Sequence, residues 1–126
     1  MPEEPEIPDA PDEPLTPLEE FVAALETLGM PVAYGEFINT EENPAPGPPF
    51  ITYQFAFDSD LKADNQNYAE IGNYQVELYT DRKDPVREKL VQDKLKELRL
   101  PYEKTETWIE SERLRQVVYD IQLIGG

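Results

Sequence analysis

FITYQFAF, residues 50–57, places large apolar side chains at every second position. A period of two is typical of a β-strand that buries one face. One face of this strand would carry Ile51, Tyr53, Phe55 and Phe57, and the other would carry Thr52, Gln54 and Ala56. We therefore predict a strand here and expect it to be the central hydrophobic strand of a sheet.

The chain before this strand predicts a helix and then a short strand. Thr16-Pro17-Leu18-Glu19 has the pattern of a capping box with proline at the first helical position. Apolar residues then recur every three or four positions until Gly29, which predicts a helix over residues 17–28. A strand is expected over residues 32–37, and the prolines within residues 43–49 predict a stiff turn.

The chain after this strand predicts a long loop, a strand, a helix and a hairpin. Residues 58–71 are polar and aperiodic, whereas residues 72–80 alternate again. Asp84-Pro85 predicts the start of a second helix. Its apolar stripe would contain Val86, Leu90, Val91, Leu95 and Leu98. Beyond Pro101, residues 102–109 and 114–123 are predicted to be the two strands of a hairpin.

The element order is therefore α-β-β-β-α-β-β. Adjacent strands between two helices favour an antiparallel or mixed sheet of four to five strands, with both helices packed on one face. We predict an α+β fold in which residues 15–126 form a single domain, because about 110 residues suffice for one hydrophobic core.

Composition excludes several functions. The chain contains neither cysteine nor histidine, and its formal net charge is −16. The usual general base, the thiolate nucleophile and the soft ligands of transition metals are thus missing, so we predict no enzyme, metal or cofactor. The negative charge argues against binding nucleic acid or an anionic membrane. The lack of a long apolar run or signal-peptide pattern predicts a cytosolic chain where it is made.

Residues 1–14 differ in character from the rest of the chain. Prolines occupy every third position from Pro2 to Pro14, with six acidic residues and no basic residue among them. Three residues per turn is the period of polyproline II, and carboxylate repulsion keeps such a chain extended. Two alternatives follow: a disordered arm, or an arm that docks on a neighbouring subunit or partner with Ile7 as its anchor.

The candidate protein-interface residues are Ile7, Tyr34, Asp64, Asn65, Tyr68 and Tyr79. The three tyrosines fall at a predicted strand end, in a polar loop and on a polar strand face, where aromatic side chains favour intermolecular contacts. Asp64 and Asn65 lie in the predicted long loop, and long loops concentrate binding residues. The same loop does not predict calcium binding, because an EF-hand would need an oxygen ligand near Lys62 and glycine at Ala63.

The succession PVAYGEF, a proline-rich turn, FITYQF, ADNQNY, YQVELYTDRKDPVREKL and WIESERLRQVVYDIQL spans roughly residues 30–123. This order resembles small tail proteins of long-tailed phages and prophages of Gram-positive bacteria, in particular tail terminators or tail-to-head joining proteins. The resemblance implies an α+β fold and a sixfold ring, a hexamer, that caps the tail tube. It implies three partners: further copies of the chain, the tail tube protein and the head connector or completion protein. It also implies a place in the virion tail after assembly in the host cytoplasm, and assigns no role to a single residue.

Two functions therefore remain open. The first is a structural protein of virion assembly. The alternative is an acidic inhibitor that imitates the charge of DNA and occupies a nucleic-acid-binding protein. A third reading, an enzyme or calcium-dependent module using residues 58–65, would require metal-dependent stability.

Overall fold

A computed structural model describes residues 14–63 and 66–125. The helices in these ranges are α1 (Pro17–Glu26) and α2 (Pro85–Glu97). The strands are β1 (Val32–Tyr34), β2 (Phe50–Asp58), β3 (Leu61–Ala63), β4 (Gln66–Ala69), β5 (Ile71–Thr80), β6 (Glu103–Ile109) and β7 (Leu114–Ile124).

Five of the strands form one mixed sheet in the order β1-β2-β5-β7-β6. β1 is parallel to β2, and the other neighbours are antiparallel. β3 and β4 pair separately as a two-stranded hairpin. Both helices pack on one face of the five-stranded sheet, where their buried residues join the core. The predicted α+β class is confirmed, and the predicted element order is confirmed for the two helices and the five strands of this sheet.

The central strand is β5, so the prediction that β2 is central is wrong. β5 lies between β2 and β7, and buries Tyr74, Val76 and Leu78 on its helix side. β2 leaves the core at its end because the register shifts between Phe55, opposite Tyr74, and Phe57, opposite Asn73. An extra residue in one strand turns the next side chain to the other face. Phe57 therefore does not share a face with Ile51, Tyr53 and Phe55.

The capping box predicted for α1 is present. Thr16 Oγ1 accepts a hydrogen bond from the Glu19 amide at 3.1 Å, and Glu19 Oε1 accepts one from the Thr16 amide at 2.9 Å. The helix buries Phe21 and Leu25. It ends at Glu26, two residues before the predicted end, where the Thr27 hydroxyl donates to the Ala24 carbonyl at 2.6 Å.

The predicted start of α2 is confirmed, but its predicted apolar stripe is partly wrong. Asp84 caps the helix by accepting a hydrogen bond from the Arg87 amide at 3.1 Å. Val86 is 70% exposed and Leu90 is 41% exposed, whereas Glu88 is buried beside Val91 and Leu95. A carboxylate tolerates this position because two lysine ammonium groups neutralise it.

These lysines belong to an ion-pair chain that fixes α2 to β6 and β7. Glu88 pairs with Lys104 at 2.8 Å and with Lys83 at 2.9 Å. Lys83 also pairs with Glu106 at 2.9 Å, and Glu106 pairs with Arg115 at 2.9 Å. The bond from Lys83 holds the pKa of Glu106 below its ordinary value, and the same bond raises the pKa of Lys83.

One strand prediction and one loop prediction need correction, and one hairpin is confirmed. The strand predicted over residues 32–37 ends at Tyr34, because Gly35 adopts a left-handed backbone with φ +76°. The loop predicted over residues 58–71 contains the hairpin of β3 and β4, whose polar side chains hide the strand period. The predicted C-terminal hairpin is β6 and β7.

Replacing Glu88 with alanine should lower the free energy of unfolding by about 2 kcal/mol, because two cations lose a partner at a buried site. Urea denaturation followed by circular dichroism measures this change. Lys89→Ala is the control, since its pair with Asp93 lies on the surface at 2.8 Å and is worth less than about 0.5 kcal/mol. Equal losses in the two variants would contradict a structural role of the ion-pair chain.

The lowered pKa of Glu106 predicts a specific acid sensitivity. A carboxyl group with a depressed folded pKa contributes stability above its unfolded pKa and loses it as the pH falls through the folded value. The stability difference between wild type and Glu106→Gln should therefore be constant near neutral pH and shrink below pH 4.5, the ordinary pKa. Denaturation of both proteins across pH measures this difference. Charge repulsion in acid destabilises both proteins equally, so it cancels in the difference. A difference that does not change in acid would refute it.

Candidate protein-interaction surface

Four aromatic side chains meet at the β1–β2 edge of the sheet, on the face that carries the helices. The Tyr34 and Tyr53 rings pack edge-to-face with centroids 5.2 Å apart, and Phe55 and Tyr74 do the same at 5.6 Å. Tyr34 is 55% exposed and Phe55 is 42% exposed, whereas Tyr74 is buried. We call Tyr34, Tyr53, Phe55 and Tyr74 the aromatic edge surface.

The early end of β1 creates this surface. Pairing between β1 and β2 stops at Tyr34 and Tyr53, so β2 beyond Tyr53 has no further strand on that side among the described residues. The Tyr34 hydroxyl accepts a hydrogen bond from the Phe55 amide at 3.1 Å, and the Gly35 amide donates to the Tyr53 carbonyl at 2.8 Å. A side chain thus takes the place of a strand partner at Phe55.

Carboxylates surround the aromatic edge surface. A hollow of about 200 Å³ is lined by Phe55, Asp58, Asp60, Glu70, Gly72 and Tyr74. Burial first, and then the negative charge of Glu26, raises the pKa of Tyr53. Burial, followed by Tyr34 and Asp58, raises the pKa of Tyr74. The negative charges of Glu26 and Asp58 thus disfavour ionisation of these two hydroxyl groups.

Gly72 keeps the Tyr74 ring in its place. A Cβ atom at Gly72 would lie 3.0 Å from Cε1 of the Tyr74 ring, tighter than nearly all real Cβ contacts, so the ring would have to shift. The absence of a side chain at this position of β5 lets the ring lie against the backbone and meet Phe55 edge-to-face.

Tyr79, predicted as a contact residue, lies on the opposite face of the sheet from Tyr34. Its ring stacks on Phe50 with centroids 4.9 Å apart, and its hydroxyl donates to Glu77 at 3.3 Å and accepts from Gln116 at 2.9 Å. Glu77 is buried and also accepts from Thr52 at 2.6 Å. Burial and the nearby carboxylate of Glu77 raise the pKa of Tyr79. Its hydroxyl is thus held within an internal polar network.

The remaining predicted contact residues are not placed by the structure. Ile7, Asp64 and Asn65 lie outside the described residues, as does the arm up to residue 13, and the side chain of Tyr68 lies outside the description too. Sequence reasoning missed Phe55 and Tyr74 because their alternation predicts core residues. The signal that could have found them is Gly35, which ends β1 before it can cover the end of β2.

Charge is unevenly distributed along the chain. Residues 1–80 contain 17 acidic residues and a single basic one, Lys62, whereas residues 81–126 contain ten of each sign. The whole net charge of −16 thus belongs to residues 1–80, and six of their 17 acidic residues lie in residues 1–13, outside the described residues. Within the described part of the chain, Lys96 and Arg99 at the end of α2 are exposed and form no ion pair.

A second concavity, of about 970 Å³, lies where β7 continues beyond its last pair with β6. Its lining includes the apolar side chains of Phe57, Tyr102 and Ile124 and charges of both signs, Arg99 and Asp120. Because its lining carries charges of both signs, the concavity favours neither a cationic nor an anionic ligand.

No group of three or more acidic side chains among the described residues is arranged to hold a metal ion. No helix in the described ranges is long and apolar enough to cross a bilayer. Comparison with known proteins finds no matching family, curated protein or solved structure.

Tyr34→Phe should make the Phe55 amide exchange faster with solvent, since the substitution removes the hydroxyl that accepts its hydrogen bond. The free energy of unfolding should change by less than about 1.5 kcal/mol, the net worth of one hydrogen bond. Amide hydrogen exchange by NMR measures both. Tyr53→Phe is the matched control because the Tyr53 hydroxyl is not the acceptor at Phe55. Unchanged exchange at Phe55 would show that Tyr34 does not protect the edge.

Proposed function

We propose that this protein is a structural assembly protein that acts by binding other protein chains through the aromatic edge surface. The observation that carries the proposal is the exposure of Tyr34 and Phe55 beside the end of β2, which no strand of the described residues covers on the β1 side. Large aromatic side chains are enriched at the centre of protein interfaces, and an open strand edge invites a partner chain.

In this proposal the protein is a tail terminator of a long-tailed phage. It forms a ring, a hexamer by the family resemblance, and joins the tail tube protein to the head connector in the virion. The order of the sequence segments and the α+β fold support this role, which requires no catalytic group. The charge of −16 is compatible with it, because an acidic lumen repels phosphates and lets DNA slide.

Multi-angle light scattering across protein concentration and salt tests the proposal. The wild-type chain should form an oligomer of definite copy number, and a chain that begins at Leu15 should assemble more weakly if the arm docks on a neighbour. Phe55→Asp should lower the oligomeric mass to that of a monomer, because a carboxylate in an apolar contact stays desolvated and unpaired.

Ile38→Asp is the control, since Ile38 is 76% exposed and lies outside the aromatic edge surface. Assembly of Phe55→Asp at wild-type strength would refute the proposed role of this surface. A chain that stays monomeric in all conditions, and binds a basic nucleic-acid-binding protein in a strongly salt-dependent manner, would favour the charge-mimic alternative.

A further inference from the structure

The aromatic edge surface lacks an identified occupant, and a second exposed apolar site lies on α2. Val86 and Leu90 are four residues apart, so they share one side of the helix. That side is turned away from the sheet, because the buried residues of α2 are Glu88, Val91 and Leu95. We call Val86, Lys89 and Leu90 the α2 outer face.

The two sites lie toward opposite ends of the strand order. The aromatic edge surface begins at β1 and β2. α2 is held to β6 by the ion pair between Glu88 and Lys104, and to β7 by the hydrogen bond from the Tyr119 hydroxyl to Gln92 at 3.0 Å. A contact that joins these two different sites leaves one of each free on every pair of molecules, so it can be repeated from copy to copy.

Electrostatics favours a contact between the aromatic edge surface and the α2 outer face over a contact between two aromatic edge surfaces. Two aromatic edge surfaces placed face to face would bring Asp58, Asp60 and Glu70, which line the hollow beside Phe55 and Tyr74, against the same carboxylates of the other copy. The α2 outer face carries no such excess of negative charge, because Lys89 pairs with Asp93 at 2.8 Å. Lys96, which forms no ion pair with the described residues, lies two helical turns further along the helix. Like charges across an interface are costly, and opposite charges favour binding and fix register.

We infer that the occupant of the aromatic edge surface is the α2 outer face of a second copy of this chain, in a head-to-tail contact. The inference rests on the proposed function and names the partner of its surface. Val86 and Leu90 supply the apolar anchors for Tyr34 and Phe55, and Lys96 of α2 meets the carboxylates around those rings.

A pair of variants tests the inference. Phe55→Asp disables one site, and Val86→Asp disables the other while placing a carboxylate in the first turn of α2, where the helix dipole favours it. Each variant alone should weaken association about 30-fold or more, the effect expected for loss of an interface anchor. Tyr34→Glu serves as a second variant of the first site if Phe55→Asp alters the circular dichroism spectrum.

Mixing the two variants provides the decisive measurement. Each retains the site that the other lacks, so an equimolar mixture should form a one-to-one dimer and nothing larger by analytical ultracentrifugation. The wild-type chain should form larger species at the same concentration, and Ile38→Asp should behave as wild type.

The outcomes separate the inference from the proposed function. If Phe55→Asp abolishes assembly but Val86→Asp does not, or the mixture remains monomeric, then α2 is not the occupant and only the inference falls. If Phe55→Asp assembles like wild type, the proposed role of the aromatic edge surface falls as well. A wild-type chain that never exceeds a monomer overturns the head-to-tail contact.

Discussion

The pairing of β5 along both of its edges is the constraint on which the other elements depend. β5 bonds to β2 on one side and to β7 on the other, and its residues Tyr74, Val76 and Leu78 form the floor of the core. The helices pack on this face of the sheet because it is the apolar surface against which their own apolar sides can be buried. The other strands then pair outward from β5 on both sides, and the outermost strands, β1 and β6, form the edges of the sheet.

The two edges of the sheet are treated differently. The β6 edge carries Glu103, Lys104 and Glu106, and charged side chains on an edge strand discourage pairing with another chain. The β2 edge carries exposed aromatic rings, and beyond Tyr53 its Phe55 amide donates to the Tyr34 hydroxyl rather than to a neighbouring strand. Trp108 on β6 is 38% exposed, but its indole N–H donates to Glu110 and Arg115 lies over its ring, so the β2 edge is the better candidate for a contact with another chain.

The parts of the fold that local chemistry dictates could be predicted from the sequence. The capping box at Thr16, the Asp84-Pro85 helix start and the alternation in β7 each act within a few residues, and the structure confirms them. Three features depend on partners distant in sequence and could not be predicted. Glu88 is buried because Lys104 reaches it from another element, β2 is displaced from the centre because β7 pairs with β5, and the register shift redirects Phe57.

The same distinction applies to the candidate surface. Tyr34 could be selected from its place at a strand end, whereas Phe55 required knowledge that β1 stops beside it. The charge distribution along the chain then favours one orientation in which two copies can meet. A chain with 16 excess negative charges repels its own copies when it is treated as a uniform sphere. Because residues 81–126 contain ten residues of each sign, contact with the part that they form avoids most of the repulsion. Strong net charge and ordered self-association are therefore compatible in this molecule, provided that the copies meet head to tail.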